Sequence, residues 1–152
     1  MRYFFTAFIV TILLSGCATR NAFSKLEISE EQELATENTR SGKIQFEEKS
    51  GGIFSAVFLN NISPDKEKNT NDFYICVYTK SQNEDLKIKL NEKEPLETKE
   101  LPHANKFAHL LPITSDWTKN YFVSFKEDTN SSIILEIESG QFSSGELYFS
   151  KD

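Results

Sequence analysis

The sequence predicts an all-β domain, folded as an antiparallel two-sheet sandwich. Three observations carry that expectation. Apolar residues recur at period two in short runs, and turn-forming residues separate those runs at roughly ten-residue spacing. No segment carries the broad apolar stripe of a core helix. A small closed β-barrel satisfies the same pattern and stands as the alternative.

The elements follow in order. Ile44 and Phe46 alternate with Lys43, Gln45 and Glu47, giving a half-buried strand. Ser50-Gly51-Gly52 reads as a turn, and Ile53 to Leu59 as a second strand with apolar residues on both faces, so the pair makes a hairpin. Asn60 to Asn71 holds Ile62 as its sole apolar residue and also Pro64, and reads as a long exposed loop. Phe73 to Thr79 is apolar on both faces, which asks for an interior place in the sheet. Leu86, Ile88 and Leu90 alternate with Lys87 and Lys89, the clearest one-sided strand in the chain. With Lys93, these lysines would guard a strand near the sheet edge against pairing with other chains.

Asn91-Glu92 turns the chain into a short strand around Pro95 to Thr98, where proline demands an edge. The 101–120 segment is irregular, and its Phe107, Leu110, Leu111 and Trp117 are expected to pack against the body. Tyr121 to Phe125 is a strand, and Ile133, Leu135 and Ile137 alternate with Glu136 and Glu138 in the next. Gly140 turns the chain into a last strand at about Gly145 to Ser150, with Leu147 and Phe149 inward. An immunoglobulin-like sandwich is the commonest arrangement of such strands, and it is assigned by analogy alone. The cysteine pair that bridges the sheets of antibody domains is absent.

Ahead of the strands, Ser29-Glu30-Glu31-Gln32 has the form of a capping box, opening a short helix through about Asn38. Its apolar face is thin, so residues 17–40 read as a tether with marginal helix, and 41–152 as the β domain. Residues 1–16 read as a secretion signal. Arg2 supplies a positive start and Tyr3 to Leu14 an apolar run. As a helix those residues reach about 18 Å, well short of the roughly 30 Å hydrocarbon layer.

Leu14-Ser15-Gly16-Cys17 closes that run. The stretch resembles the signal of bacterial lipoproteins, in which leucine, a small residue, and glycine or alanine precede a cysteine. The resemblance implies cleavage between Gly16 and Cys17, with Leu14, Ser15 and Gly16 as the recognition residues, and a diacylglycerol on the Cys17 thiol. Two or three acyl chains hold a protein stably on a bilayer. Ala18 stands where the family's inner-membrane retention signal would place aspartate, so the resemblance favours the outer membrane of the bacterial envelope. No cofactor is expected beyond this covalent lipid.

The formal net charge is −6, and losing residues 1–16 removes one base and no acid. Such acidity argues against nucleic acid and anionic lipid headgroups as main partners. The expected partners are the membrane, through the anchor, and an unidentified protein or envelope component. Thirteen phenylalanines and a single methionine point to an aromatic, well-defined core. With Cys17 lipidated, Cys76 is the remaining thiol, and its strand context makes it a small buried apolar residue.

Residues able to carry chemistry are few. His103 and His109 both fall in the 101–120 segment, where Asp116 could complete a triad with one of several serines, but no nucleophile-elbow glycines surround a serine. No metal-ligand spacing is present, so neither a catalytic centre nor a metal site is assigned. Aromatic residues are the better lead for binding, with Tyr74, Tyr78, Trp117 and Tyr148 as the candidates. With Phe73, Ile75 and Val77 facing the core, Tyr74 and Tyr78 face the other way, and Tyr148 alternates outward from Leu147 and Phe149. The competing expectation is that the 101–120 segment covers this second face, with Trp117 or Phe107 resting on the tyrosines.

Ser144-Gly145-Glu146-Leu147-Tyr148 also resembles the Ser-Gly-x-x-Tyr loop of small lysozyme-inhibitor lipoproteins. That resemblance implies that Ser144 reaches into a lysozyme's cleft. The function expected from the sequence is thus a membrane-anchored binding or structural module. An envelope-acting hydrolase and a lysozyme-inhibitor-like lipoprotein are the alternatives.

Overall fold

The computed structural model describes residues 29–46, 49–63, 69–80, 85–111, 115–128, 130–140 and 143–151. Among the described residues the chain is all-β apart from one short helix and two single 3-10 turns. Helix α1 spans Glu30–Glu37 and is followed by eight strands. These are β1 (Thr39–Phe46), β2 (Lys49–Phe58), β3 (Thr70–Thr79), β4 (Leu86–Leu90), β5 (Glu97–Leu101), β6 (Lys119–Lys126), β7 (Ser132–Ser139) and β8 (Ser143–Ser150). All belong to one antiparallel sheet in the order β4-β7-β8-β1-β2-β3-β6-β5.

That sheet curls through 272° into a half-barrel, so the expected two-sheet sandwich, immunoglobulin-like or otherwise, is not the architecture. The physical reason lies in β1. It pairs with β2 along its length and with β8 through Gln45 opposite Ser144, so the two halves that a sandwich would separate are hydrogen-bonded to each other. A register shift between Ile44 and Gln45 marks a bulge at that junction, and bulges bend a strand and increase its twist. Twist accumulated over eight strands then rolls the apolar face inward. Strands β4 and β5 form the two edges, the places where the sequence puts Lys87 and Lys89 on one strand and Pro95 just before the other.

The concave face holds the main core. Phe73 on β3 is its hub, with ring centroids 5.0 Å from Phe58, 5.3 Å from Phe149 and 6.1 Å from Phe125. Ile44, Ile75, Ile133, Leu135 and Ile137 are fully buried around it. β3 lies between β2 and β6, as its two apolar faces require. Ser50-Gly51-Gly52, expected as a turn, lies within β2 instead. Gly52 is there for closeness, since a Cβ would sit 2.3 Å from the Tyr78 carbonyl oxygen of β3.

A smaller core lies on the convex face, where Val57, Tyr74 and Cys76 are covered by Ala35 of α1 and by Leu110 and Leu111. The Ser29 capping box forms as expected, with Ser29 and Gln32 exchanging side-chain to backbone hydrogen bonds at 3.3 Å each. Ala35 is fully buried, so α1 is seated on the sheet and belongs to the folded body rather than to a free tether. The rest of the expected tether, 17–28, lies outside the described residues.

Asp128 fastens one end of the barrel. Its carboxylate accepts from Asn91 Nδ2 at 3.0 Å, Lys93 Nζ at 2.9 Å and the Asn130 backbone N–H at 3.1 Å, and the Lys151 ammonium donates to its carbonyl. The β4–β5 turn, the β6–β7 loop and the end of β8 are thereby tied together. Asn91, which has a left-handed backbone (φ 49°), also bonds Ile134 through both its backbone N–H and its side-chain oxygen.

Candidate functional site

The sequence-predicted residues separate into three groups. Leu14, Ser15, Gly16 and Cys17 lie outside the described residues. Tyr74 is fully buried, with Phe107 5.6 Å away ring to ring and Phe122 stacked behind Phe107 at 5.9 Å. The 101–120 segment therefore covers this part of the second face, through Phe107 and not through Trp117. Burial pushes the Tyr74 phenol up, against a hydrogen bond from Asn105. Tyr78 is part-exposed on that same outer face, opposite the exposed Ile53. Tyr148 is exposed on β8 and donates its hydroxyl to Glu146 at 2.6 Å. The four aromatics proposed for binding thus do not form one patch.

The Ser-Gly-x-x-Tyr stretch is not a protruding loop. Ser144 to Tyr148 lies inside β8, with Gly145 opposite Ile137 of β7 and Ser144 opposite both Glu138 and Gln45. Gly145 faces inward, where a Cβ would meet the Lys43 carbonyl oxygen at 2.5 Å and the Phe54 ring at 2.7 Å. Reaching a partner's cleft requires a free loop, and a strand flanked on both sides cannot supply one.

The remaining residues converge. His103, Asp116 and Trp117 line one cavity of about 280 Å³, at the end of the half-barrel where β3 and β5 finish and β6 begins. Val77, Thr79, Leu101 and Pro102 line it too, and Glu100, Thr118 and Lys119 supply further polar groups. Glu100 and Lys119 were not legible as site residues, because charged residues at strand ends read as ordinary solvated positions.

Trp117 is 70 % exposed, contrary to the expectation that it packs on the body. The turn that carries it explains why. The Ser115 carbonyl accepts from the Thr118 backbone N–H at 2.9 Å and from the Thr118 hydroxyl at 2.8 Å, while the Ser115 hydroxyl accepts from the Trp117 N–H at 3.1 Å. A turn closed this tightly fixes the residue at its third position away from the sheet.

Behind the cavity stands Asn120, 1 % exposed, whose Nδ2 lies 3.4 Å from His103 Nδ1. The two groups share one hydrogen bond, which holds the imidazole at the cavity. Beside Glu100, the Tyr121 phenol is pushed up to about 12, first by burial and then by the Glu100 charge. It remains a neutral hydroxyl across the working range of any protein. His109 stands apart, with Nε2 3.4 Å from Glu31, while its carbonyl accepts from Gln32 Nε2 at 3.3 Å. It clips the cover to α1.

A second crevice, of about 210 Å³, opens between α1 and the cover and is lined by Leu59, Ile62, Phe107, Leu110 and Phe122 with Asp72 and Lys106. Its walls are the packing surfaces of the small core. Asp72 there already accepts the Ser124 hydroxyl at 2.6 Å. Among the described residues no cluster of histidine, cysteine and carboxylate groups could hold a metal, and no helix is long and apolar enough to cross a membrane.

Fold and site together define a curled single-sheet β domain with an exposed tryptophan at a polar cavity. No family model, no curated protein and no solved structure matches this chain.

Proposed function

We propose that the protein is a lipid-anchored binding module of the bacterial envelope, held to a membrane through Cys17 and gripping an envelope component at the Trp117 cavity. The observation that carries the binding half is Trp117 itself. A large apolar ring left 70 % in water, on a turn locked by its own hydrogen bonds, is a preorganised contact surface. The anchor half rests on the resemblance of residues 14–17 to lipoprotein signals. Holding is favoured over cutting because His103 Nδ1 lies against the Asn120 amide and His109 faces Glu31, so neither imidazole is set against a nucleophile.

Two measurements test the reading. Cells fed a clickable fatty acid should label the native chain and not Cys17→Ala; label on the variant overturns the anchor. The Cys17→Ala chain, free of lipid, should cosediment saturably with envelope fragments, and adding Trp117→Ala should remove that binding. Equal sedimentation of the two chains overturns the cavity's role.

A further inference from the structure

We propose that the Trp117 cavity binds an uncharged carbohydrate, an inference that rests on the binding-module reading above and names its ligand. The chemistry of the lining decides the class. Glu100 and Asp116 are acceptors, the Lys119 ammonium is a donor, the His103 imidazole can take either role, and all line the same 280 Å³. A cationic ligand would meet Lys119, and an anionic one would meet two carboxylates, so neither sign of charge is matched throughout. A sugar hydroxyl both donates and accepts, and each of these groups can therefore satisfy it.

The apolar half of the ligand is matched as well. A pyranose ring presents a face of C–H groups, and the indole of Trp117 presents a flat, rigid, exposed one beside the polar groups. Exposed indole next to mixed donors and acceptors is suited to a molecule that is apolar on one face and hydroxylated at its rim. The volume sits just under the roughly 300–1,000 Å³ of pockets that take drug-sized ligands, so one terminal sugar unit of a longer glycan fills it.

Trp117 is the single tryptophan of the chain, so its fluorescence reports this site without interference. The test titrates the Cys17→Ala full chain with neutral trisaccharides of glucose and of N-acetylglucosamine, and with the charged trisaccharides of glucosamine and galacturonic acid. A neutral sugar should shift the emission to shorter wavelength and saturate below about 10 mM. Its affinity should be the same at low and high salt. Trp117→Ala, followed by calorimetry, should weaken binding roughly thirtyfold, and Glu100→Ala or Asp116→Ala about five- to tenfold. All three positions are exposed, so unchanged circular dichroism verifies folding.

Binding confined to a charged sugar overturns the uncharged assignment. Silence towards all four sugars, with Trp117-dependent sedimentation on envelope fragments intact, overturns the carbohydrate inference and leaves the binding module standing. Loss of the Trp117-dependent sedimentation as well removes the reading on which it rests.

Discussion

Replacing Phe73 by leucine probes the roll of the sheet most sharply. Phe73 is fully buried on β3, and its ring meets Phe58 of the adjacent strand, Phe125 of β6 and, across the barrel, Phe149 of β8. Leucine keeps most of the apolar area but gives up three aromatic contacts, each worth roughly 0.5–1.5 kcal/mol beyond burial. Partial repacking recovers some of this, so the expected cost is about 2–3 kcal/mol. With a urea slope of about 1.5 kcal/mol per molar, the unfolding midpoint should fall by roughly 1.3–2 M at constant slope. Phe149→Leu and the double variant complete a cycle, for which the edge-to-face pair at 5.3 Å implies a coupling of about 0.5–1.5 kcal/mol. A midpoint that barely moves, or a coupling near zero, refutes the placement of β8 across the core from β3.

Three further outcomes are expected. Asn91, Lys93 and the Asn130 N–H hold the Asp128 carboxyl well below the usual carboxylate range. Its contribution to stability is therefore complete above the unfolded-state value of about 3.9 and is lost as pH falls through the lower folded value. The melting temperature of the native chain should drop steeply on acidification below about pH 4, and Asp128→Asn should flatten that drop; equal slopes refute the latch. Gly145→Ala places a methyl group against the Lys43 carbonyl, which cannot move without disturbing β1, and should cost roughly 2–3 kcal/mol in urea unfolding. Burial pushes the Cys76 thiol up, with a hydrogen bond to Thr118 acting against it. The thiol should resist a thiol-specific reagent until the chain unfolds, and rapid reaction in native buffer contradicts the burial.

Much of the fold was legible because period-two alternation reports which face of a strand is buried. It located Leu86 to Leu90 and Ile133 to Ile137; the strand expected around Pro95 to Thr98 lies at an edge as proline asks, but runs from Glu97 to Leu101 and leaves Pro95 outside it. Alternation is blind to which strands become neighbours. The β1–β8 pairing joins residues a hundred positions apart, and on it hangs the difference between two stacked sheets and one curled sheet. Gly52 misled for a related reason, since a glycine needed for close strand approach has the same signature as one needed for a turn.

The site was legible only in pieces. His103, Asp116 and Trp117 each stood out by residue type, for unrelated reasons, and the fold brings them to one cavity. Trp117 was expected to be buried because large aromatics usually are; the hydrogen bonds of Ser115 and Thr118, which turn it outward, depend on local geometry and leave no periodic trace. Tyr74, by contrast, sits under the 101–120 segment, one of the two outcomes that its alternation allowed.

The most direct test of the account is the emission of Trp117 while the Cys17→Ala chain sits on envelope fragments. The emission should shift to shorter wavelength and be protected from a soluble quencher, in proportion to the protein bound. A bound chain whose tryptophan stays as wet and as quenchable as in free solution contradicts it.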